Sequence, residues 1–89
     1  MITVFERATV RDYRTWRDVF DGFAPTLKAK GVVASSVYQS VDDPNDLTVA
    51  HDFETIEDAK AFLASSELQD ARSDAGVVSG PTVWFTSKV

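Results

Sequence analysis

The chain of 89 residues has one histidine, His51, and an imidazole is the side chain here best suited to proton transfer near neutral pH. It lies in LTVAHDFE, where Leu47, Val49, His51 and Phe53 alternate with Thr48, Ala50, Asp52 and Glu54. A period of two marks a strand with unlike faces, and it puts His51 on the face of Val49 and Phe53. Arg7 in MITVFERATV and Tyr38 in VVASSVYQSV are the other polar candidates. A guanidinium and a phenol converging on the imidazole would stabilise a phenolate or enolate. His51, Arg7 and Tyr38 are therefore the candidate catalytic set. Phe5, Trp84 and Ser36 are the candidate ligand contacts. Trp84 would stack on a flat ring, Phe5 would share an aromatic face with it, and Ser35 and Ser36 leave room beside the sheet. Each has a purely structural alternative: a hydrogen-bonded histidine at the sheet margin, an arginine reaching water from a strand end, an indole that only packs.

Other chemistries are disfavoured by composition. There is no Cys, so disulfides and thiolate metal sites are excluded, and one His without a tight acid cluster argues against structural zinc. Asp42-Asp43-Pro44-Asn45-Asp46 lacks the spaced ligands and central Gly of a calcium loop and reads as a turn. Ser65 and Ser66 have no local base and read as part of a helix start rather than as nucleophiles. The net charge is -5 and the basic residues are scattered, so nucleic acid is not an expected partner. No apolar run approaches the roughly 18 residues of a membrane span. No signal peptide is read at the start, which makes a cytoplasmic location the expectation.

The elements that must position these residues follow from periodicity. Met1 to Val10 reads as a first strand, with Ile2 and Val4 on one face and Thr3, Phe5 and Arg7 on the other. Asp12 caps a helix from Tyr13 to about Lys30, whose Tyr13, Trp16, Phe20, Phe23 and Leu27 form an apolar stripe. Pro25 should break it near residues 22–25, and Gly31 should end it. Val32 to Val41 and the His51 strand form a hairpin about the acidic turn. Thr55 with Asp58 resembles a capping box for a helix from Ile56 to about Ala64, and Ser66 with Gln69 a second one for a helix from Glu67 to about Ala75. Gly76, Gly80 and Pro81 should bound a loop before a last strand, Thr82 to Val89. The order is βαββαβ in a single domain of residues 1–89. It predicts an α+β, ferredoxin-like fold: a four-stranded antiparallel sheet with helices on one face. The second face then carries Phe5, Tyr38 and Trp84 uncovered. A chain this short has a marginal core, and without disulfide or metal the remedy left is a partner chain.

These pieces together resemble the dimeric α/β-barrel superfamily, which includes the antibiotic biosynthesis monooxygenase-like and small polyketide-cyclase-like domains. The resemblance runs over nearly the whole chain: VRDYRTWRDVFD, GV at 31–32, DDPND at 42–46, HDFETIEDAKAFLASSEL at 51–68 and AGVVSGPTVWF at 75–85. It implies a homodimer whose two sheets face each other and a mostly apolar cavity beside each sheet. It also implies a monooxygenase or cyclase acting on an aromatic, polyketide-like substrate without metal, flavin or other cofactor. In quinone-forming members Asn, Trp, Tyr and Arg side chains serve this reaction; their local motif is not found here, so no catalytic residue is carried over. Haem-degrading relatives need a haem ligand, and a mid-strand His51 is ill placed for one.

Three roles follow. A cofactor-free oxygenase or cyclase requires His51, Arg7 or Tyr38 to converge on one pocket. A non-catalytic small-molecule binder requires the same pocket with its polar groups already paired. A purely dimerising domain requires an inter-sheet space filled by side chains.

Overall fold

The computed structural model describes residues 1–89. Its elements are β1 (Ile2–Val10), α1 (Tyr13–Gly22), α2 (Ala24–Ala29), β2 (Val32–Gln39), β3 (Asp46–Phe53), α3 (Ile56–Leu63), α4 (Ser66–Ala75) and β4 (Val77–Ser87). The strands form one antiparallel sheet in the order β2-β3-β1-β4, and the helices pack on one face of it. This is the expected ferredoxin-like α+β arrangement, with the first helix broken in two and the later pair of helices separate, as the sequence reading has them.

The caps explain the divisions. Asp12 accepts from the Thr15 amide at the start of α1. One residue, Phe23, separates α1 from α2, and Pro25 falls in the first turn of α2, where its missing N–H costs nothing. The break thus falls inside the segment 22–25 that the proline marks. Thr55 accepts from the Asp58 amide and starts α3. The cap of α4 is Ser65, not Ser66: Ser65 Oγ accepts from the Leu68 amide at 3.3 Å and donates to the Phe62 carbonyl at 2.8 Å, so one hydroxyl closes α3 and opens α4. Gly31 (φ 96°) and Gly76 (φ 77°) supply the left-handed residues that end α2 and α4.

The last strand departs from the sequence reading. It begins at Val77, immediately after Gly76, so residues 77–81 are strand and not loop. The Gly80-Pro81 pair is absorbed by register shifts opposite Arg7 to Val10. An edge strand with a bulge is where a proline is tolerated, because its missing amide faces no partner. Gly80 has φ 88°, and a Cβ there would meet the Arg7 carbonyl oxygen at 3.0 Å.

Two buried clusters fill the space between sheet and helices. One joins Val4 and Phe53 to Leu27, Ala59, Phe62 and Leu68; the other joins Val10, Leu47 and Val49 to Trp16 and Ala75. Phe53 and Phe62 are among the largest fully buried side chains. Replacing Phe53 by Ala should cost about 3–5 kcal/mol, and replacing Thr55 by Ala about 1 kcal/mol. Urea unfolding of the two variants checks this ordering; equal losses would contradict it.

Candidate functional site

The register decides which candidate residues can meet. Across the sheet, Ser36 pairs with Ala50, Ala50 with Phe5 and Phe5 with Trp84. The next row on the same face runs Tyr38, Thr48, Arg7, Thr82. Five of the six candidates therefore lie in two adjacent rows on the face the helices leave open. Phe5 stacks on Trp84 with ring centroids 5.5 Å apart. Tyr38 is 56% exposed and Trp84 41%. Arg7 is exposed and makes a two-pronged ion pair with Asp46, Nε to Oδ1 at 3.1 Å and Nη2 to Oδ2 at 2.7 Å. That pairing holds the Asp46 carboxyl below its usual range.

His51 is on the other face, as its alternation with Val49 and Phe53 requires, and only 3% exposed. The expected convergence of His51, Arg7 and Tyr38 within one chain does not occur. Side chains one residue out of phase on a strand point to opposite sides of the sheet. The sheet lies between the imidazole and the other two.

His51 meets two residues the sequence reading passed over. In the row next to its own, Glu6 of β1 points to the same face, and Arg72 of α4 reaches down to it. Arg72 Nη2 donates to Glu6 Oε1. The other carboxylate oxygen, Oε2, lies 3.7 Å from His51 Nε2, too far for a hydrogen bond. On the opposite side of the ring, Ser35 Oγ is 2.8 Å from Nδ1. Aromatic rings frame the imidazole: Phe20 stacks at 6.3 Å between centroids, Phe62 meets it edge-on at 5.3 Å, and Trp16 stacks behind Phe20 at 4.9 Å. Ser35, not the predicted Ser36, is the serine that touches the site.

Glu6 was legible in the strand pattern. Ile2, Val4, Glu6 and Ala8 continue one face, so the acid shares the side of Val4 and not that of Arg7. Arg72 had a signal too, four residues after the core residue Leu68 and three before the core residue Ala75.

This trio lies in the wall of a cavity between the sheet and helices α1, α2 and α4. Its volume is about 70 Å³, and 14 of the 18 lining residues are hydrophobic. Both core clusters contribute to the lining, Leu27 and Phe62 from one, Trp16 and Val49 from the other. The cavity is the seam between two small cores. An apolar cavity of about 150 Å³ accommodates benzene, so a larger aromatic ligand requires the helices to part.

Electrostatics follow from burial. Desolvation pushes the Glu6 carboxyl above its ordinary 4.5, against the pull of Arg72. Desolvation also lowers His51 from 6.5 to about 4, with the Arg72 charge adding to the effect and Asp52 opposing it. At pH 7 the imidazole is neutral. With an ionised Glu6 beside Nε2, the favoured tautomer carries the proton on Nε2 and accepts the Ser35 hydroxyl at Nδ1. The site then offers one uncommitted carboxylate oxygen and one N–H donor, 3.7 Å apart, facing an apolar cavity. No group of three or more His, Cys, Asp or Glu residues is placed to hold a metal.

The fold and this buried site define a class: a small ferredoxin-like subunit with one open sheet face and an apolar pocket under its helices. The chain belongs to the antibiotic biosynthesis monooxygenase family, whose model matches residues 2–74. No curated protein sequence matches it significantly. Among solved structures, a candidate antibiotic biosynthesis monooxygenase from Bordetella bronchiseptica superposes with a TM-score of 0.84 at 20% identity, covering 99% of this chain and 96% of the other. SnoaB, a cofactor-independent oxygenase from Streptomyces nogalater, gives 0.81 at 16% identity over 99% and 92%. Rv0793 from Mycobacterium tuberculosis gives 0.74 at 17% over 99% and 94%. At these identities the likeness is one of fold.

Because His51 binds its proton more weakly folded than unfolded, the unfolded chain takes up more protons between pH 6.5 and 4. Its contribution to stability is therefore fully present above pH 6.5 and is lost as the pH falls toward 4, by roughly 3 kcal/mol. Glu6 acts in the opposite sense above pH 4.5, since its folded-state affinity is raised, and offsets part of this loss. Urea midpoints of the protein and of His51→Gln from pH 7.5 to 4.5 check the sign. The variant should lose less stability on acidification, and an unchanged slope would contradict the assignment.

Proposed function

We propose that the protein is a cofactor-free monooxygenase acting on a small aromatic, polyketide-like substrate. The observation that carries this reading is the 3.7 Å gap between Glu6 Oε2 and His51 Nε2 in the wall of an apolar cavity. A substrate hydroxyl or enol oxygen at about 2.8 Å from both atoms fits that gap, donating to one and accepting from the other. Glu6 is the base: burial raises its proton affinity, and a base poised nearer to neutral pH is the more effective one. Neutral His51 is the donor that holds the developing oxyanion, with the Arg72 charge close behind Glu6. The electron-rich anion so formed reacts directly with oxygen. One oxygen atom enters the ring carbon, turning a CH2 into a C=O, and the other leaves as water with the two hydrogens lost. Family membership and the SnoaB-like fold support this reaction class.

On a substrate shown to consume oxygen, Glu6→Gln should lower turnover by about 10²-fold or more. It is assayed where urea unfolding shows the variant still folded, because it leaves the part-buried Arg72 without its carboxylate and costs stability. Arg7→Ala and Tyr38→Phe, on the far side of the sheet, should keep turnover within a few-fold. Undiminished turnover in Glu6→Gln would sink the proposed base.

The open face favours a second part of the same reading, a homodimer with the two sheets apposed. The stacked pair Phe5 and Trp84 lies on this face with Tyr38 further along it, Trp84 and Tyr38 well exposed, and such apolar surface is normally covered. In this arrangement the five open-face residues line the space between subunits, and Arg7 and Tyr38 serve that interface or a ligand held in it. Trp84→Asp should convert the dimer to monomer in sedimentation velocity runs. A parent chain that sediments as a monomer at high micromolar concentration would contradict the dimer.

A further inference from the structure

Outside the cavity, between α1 and α4, lies an open groove of about 340 Å³. Val19, Phe23 and Ala71 line both the groove and the cavity, so a single layer of side chains separates them. We infer that this groove is the mouth of the cavity, and that it admits uncharged or cationic aromatic molecules in preference to carboxylates. The inference rests on the proposed ligand site at Glu6 and His51.

Phe23 stands where groove and cavity meet. Phe23 is both the last cap of α1 and the first cap of α2, and no side chain caps α2 at that junction. The helical ladder still runs through Phe23, whose N–H bonds to the Val19 and Phe20 carbonyls and whose carbonyl accepts from the Leu27 amide, so an opening needs only its side chain to turn. Beside it, a Cβ on Gly22 would meet nothing within 4 Å, so the groove is open at that point.

The charge of the mouth sets its preference. Glu67, Asp70 and Asp74 line it from α4. Lys30 pairs with Glu67 at 2.8 Å, whereas Asp70 and Asp74 have no ion-pair partner. An incoming carboxylate meets this negative rim first, and in the cavity wall behind it the Arg72 charge is already taken up by Glu6. Charge of one sign around a concave opening raises the local concentration of neutral or opposite-sign ligands relative to like-charged ones.

The test uses 2-naphthol and 2-naphthoate as probes, with exchange rates read from the Trp16 indole and His51 ring resonances. Gly22→Phe adds a ring over the groove without touching the cavity. It should slow association and dissociation of 2-naphthol together, by roughly tenfold, with little change in Kd, as expected for an obstacle on the route and not in the site. Asp70→Asn/Asp74→Asn should speed 2-naphthoate association several-fold at low salt and leave that of 2-naphthol unchanged. If 2-naphthol still shifts Trp16 and Gly22→Phe leaves both rates unaltered, the mouth is elsewhere and the cavity reading stands. If the charge-neutral double variant leaves 2-naphthoate association unchanged, the rim does not select. If 2-naphthol shifts neither Trp16 nor His51, both the mouth and the cavity reading fall.

Discussion

The Glu6–Arg72 ion pair is the constraint around which the helix side of the sheet is arranged. A carboxylate among apolar side chains is costly unless it is paired, and burying an ion pair offsets that cost only when its geometry and hydrogen bonds are good. Here α4 must come close enough to β1 for the guanidinium to reach the acid, which fixes α4 against α1 over the same sheet face. With those helices so placed, the apolar residues collect into two clusters rather than one, and the cavity is the space left where they meet. Replacing Glu6 and Arg72 by apolar residues would permit one continuous core. The chain instead keeps two charges and an imidazole in the wall of that seam.

The imidazole belongs to the same arrangement. Its ring is held by Ser35 on one edge and by Phe20 and Phe62 around it, so it is oriented without being charged. Burial moves the two titrating groups in opposite directions, Glu6 up and His51 down. The acid becomes a better proton acceptor, and the histidine stays a neutral donor. Both follow from desolvation, which disfavours whichever form carries the charge.

Most of the fold was legible in the sequence because local rules governed it. Asp12 and Thr55 cap the helices they were expected to cap, Pro25 marks the break between α1 and α2, and the period of two sorted the strand faces correctly. Two local readings failed for identifiable reasons. Ser65 and Ser66 offer similar capping chemistry, and only the geometry of the α3 end chose Ser65. Gly80 and Pro81 look like loop residues, yet an edge strand with a bulge accommodates them. The site was less legible. His51 was read as sharing the face of Val49 and Phe53, but which side of the sheet that face turned to stayed open, and Arg7 and Tyr38 were grouped with it by chemical type although their phase on the strands sets them across the sheet. Glu6 was readable from phase alone. Its partner Arg72 lies 66 residues away, and that contact depends on how α4 docks.

The most direct measurement is a crystal structure of the protein with 2-naphthol bound. The expected result is the ligand hydroxyl oxygen within hydrogen-bond reach of both Glu6 Oε2 and His51 Nε2, with its rings against Phe20 and Trp16. A ligand bound instead against Phe5 and Trp84 on the open sheet face, with the Glu6–His51 gap unspanned, would contradict the proposed site and return the chemistry to the other side of the sheet.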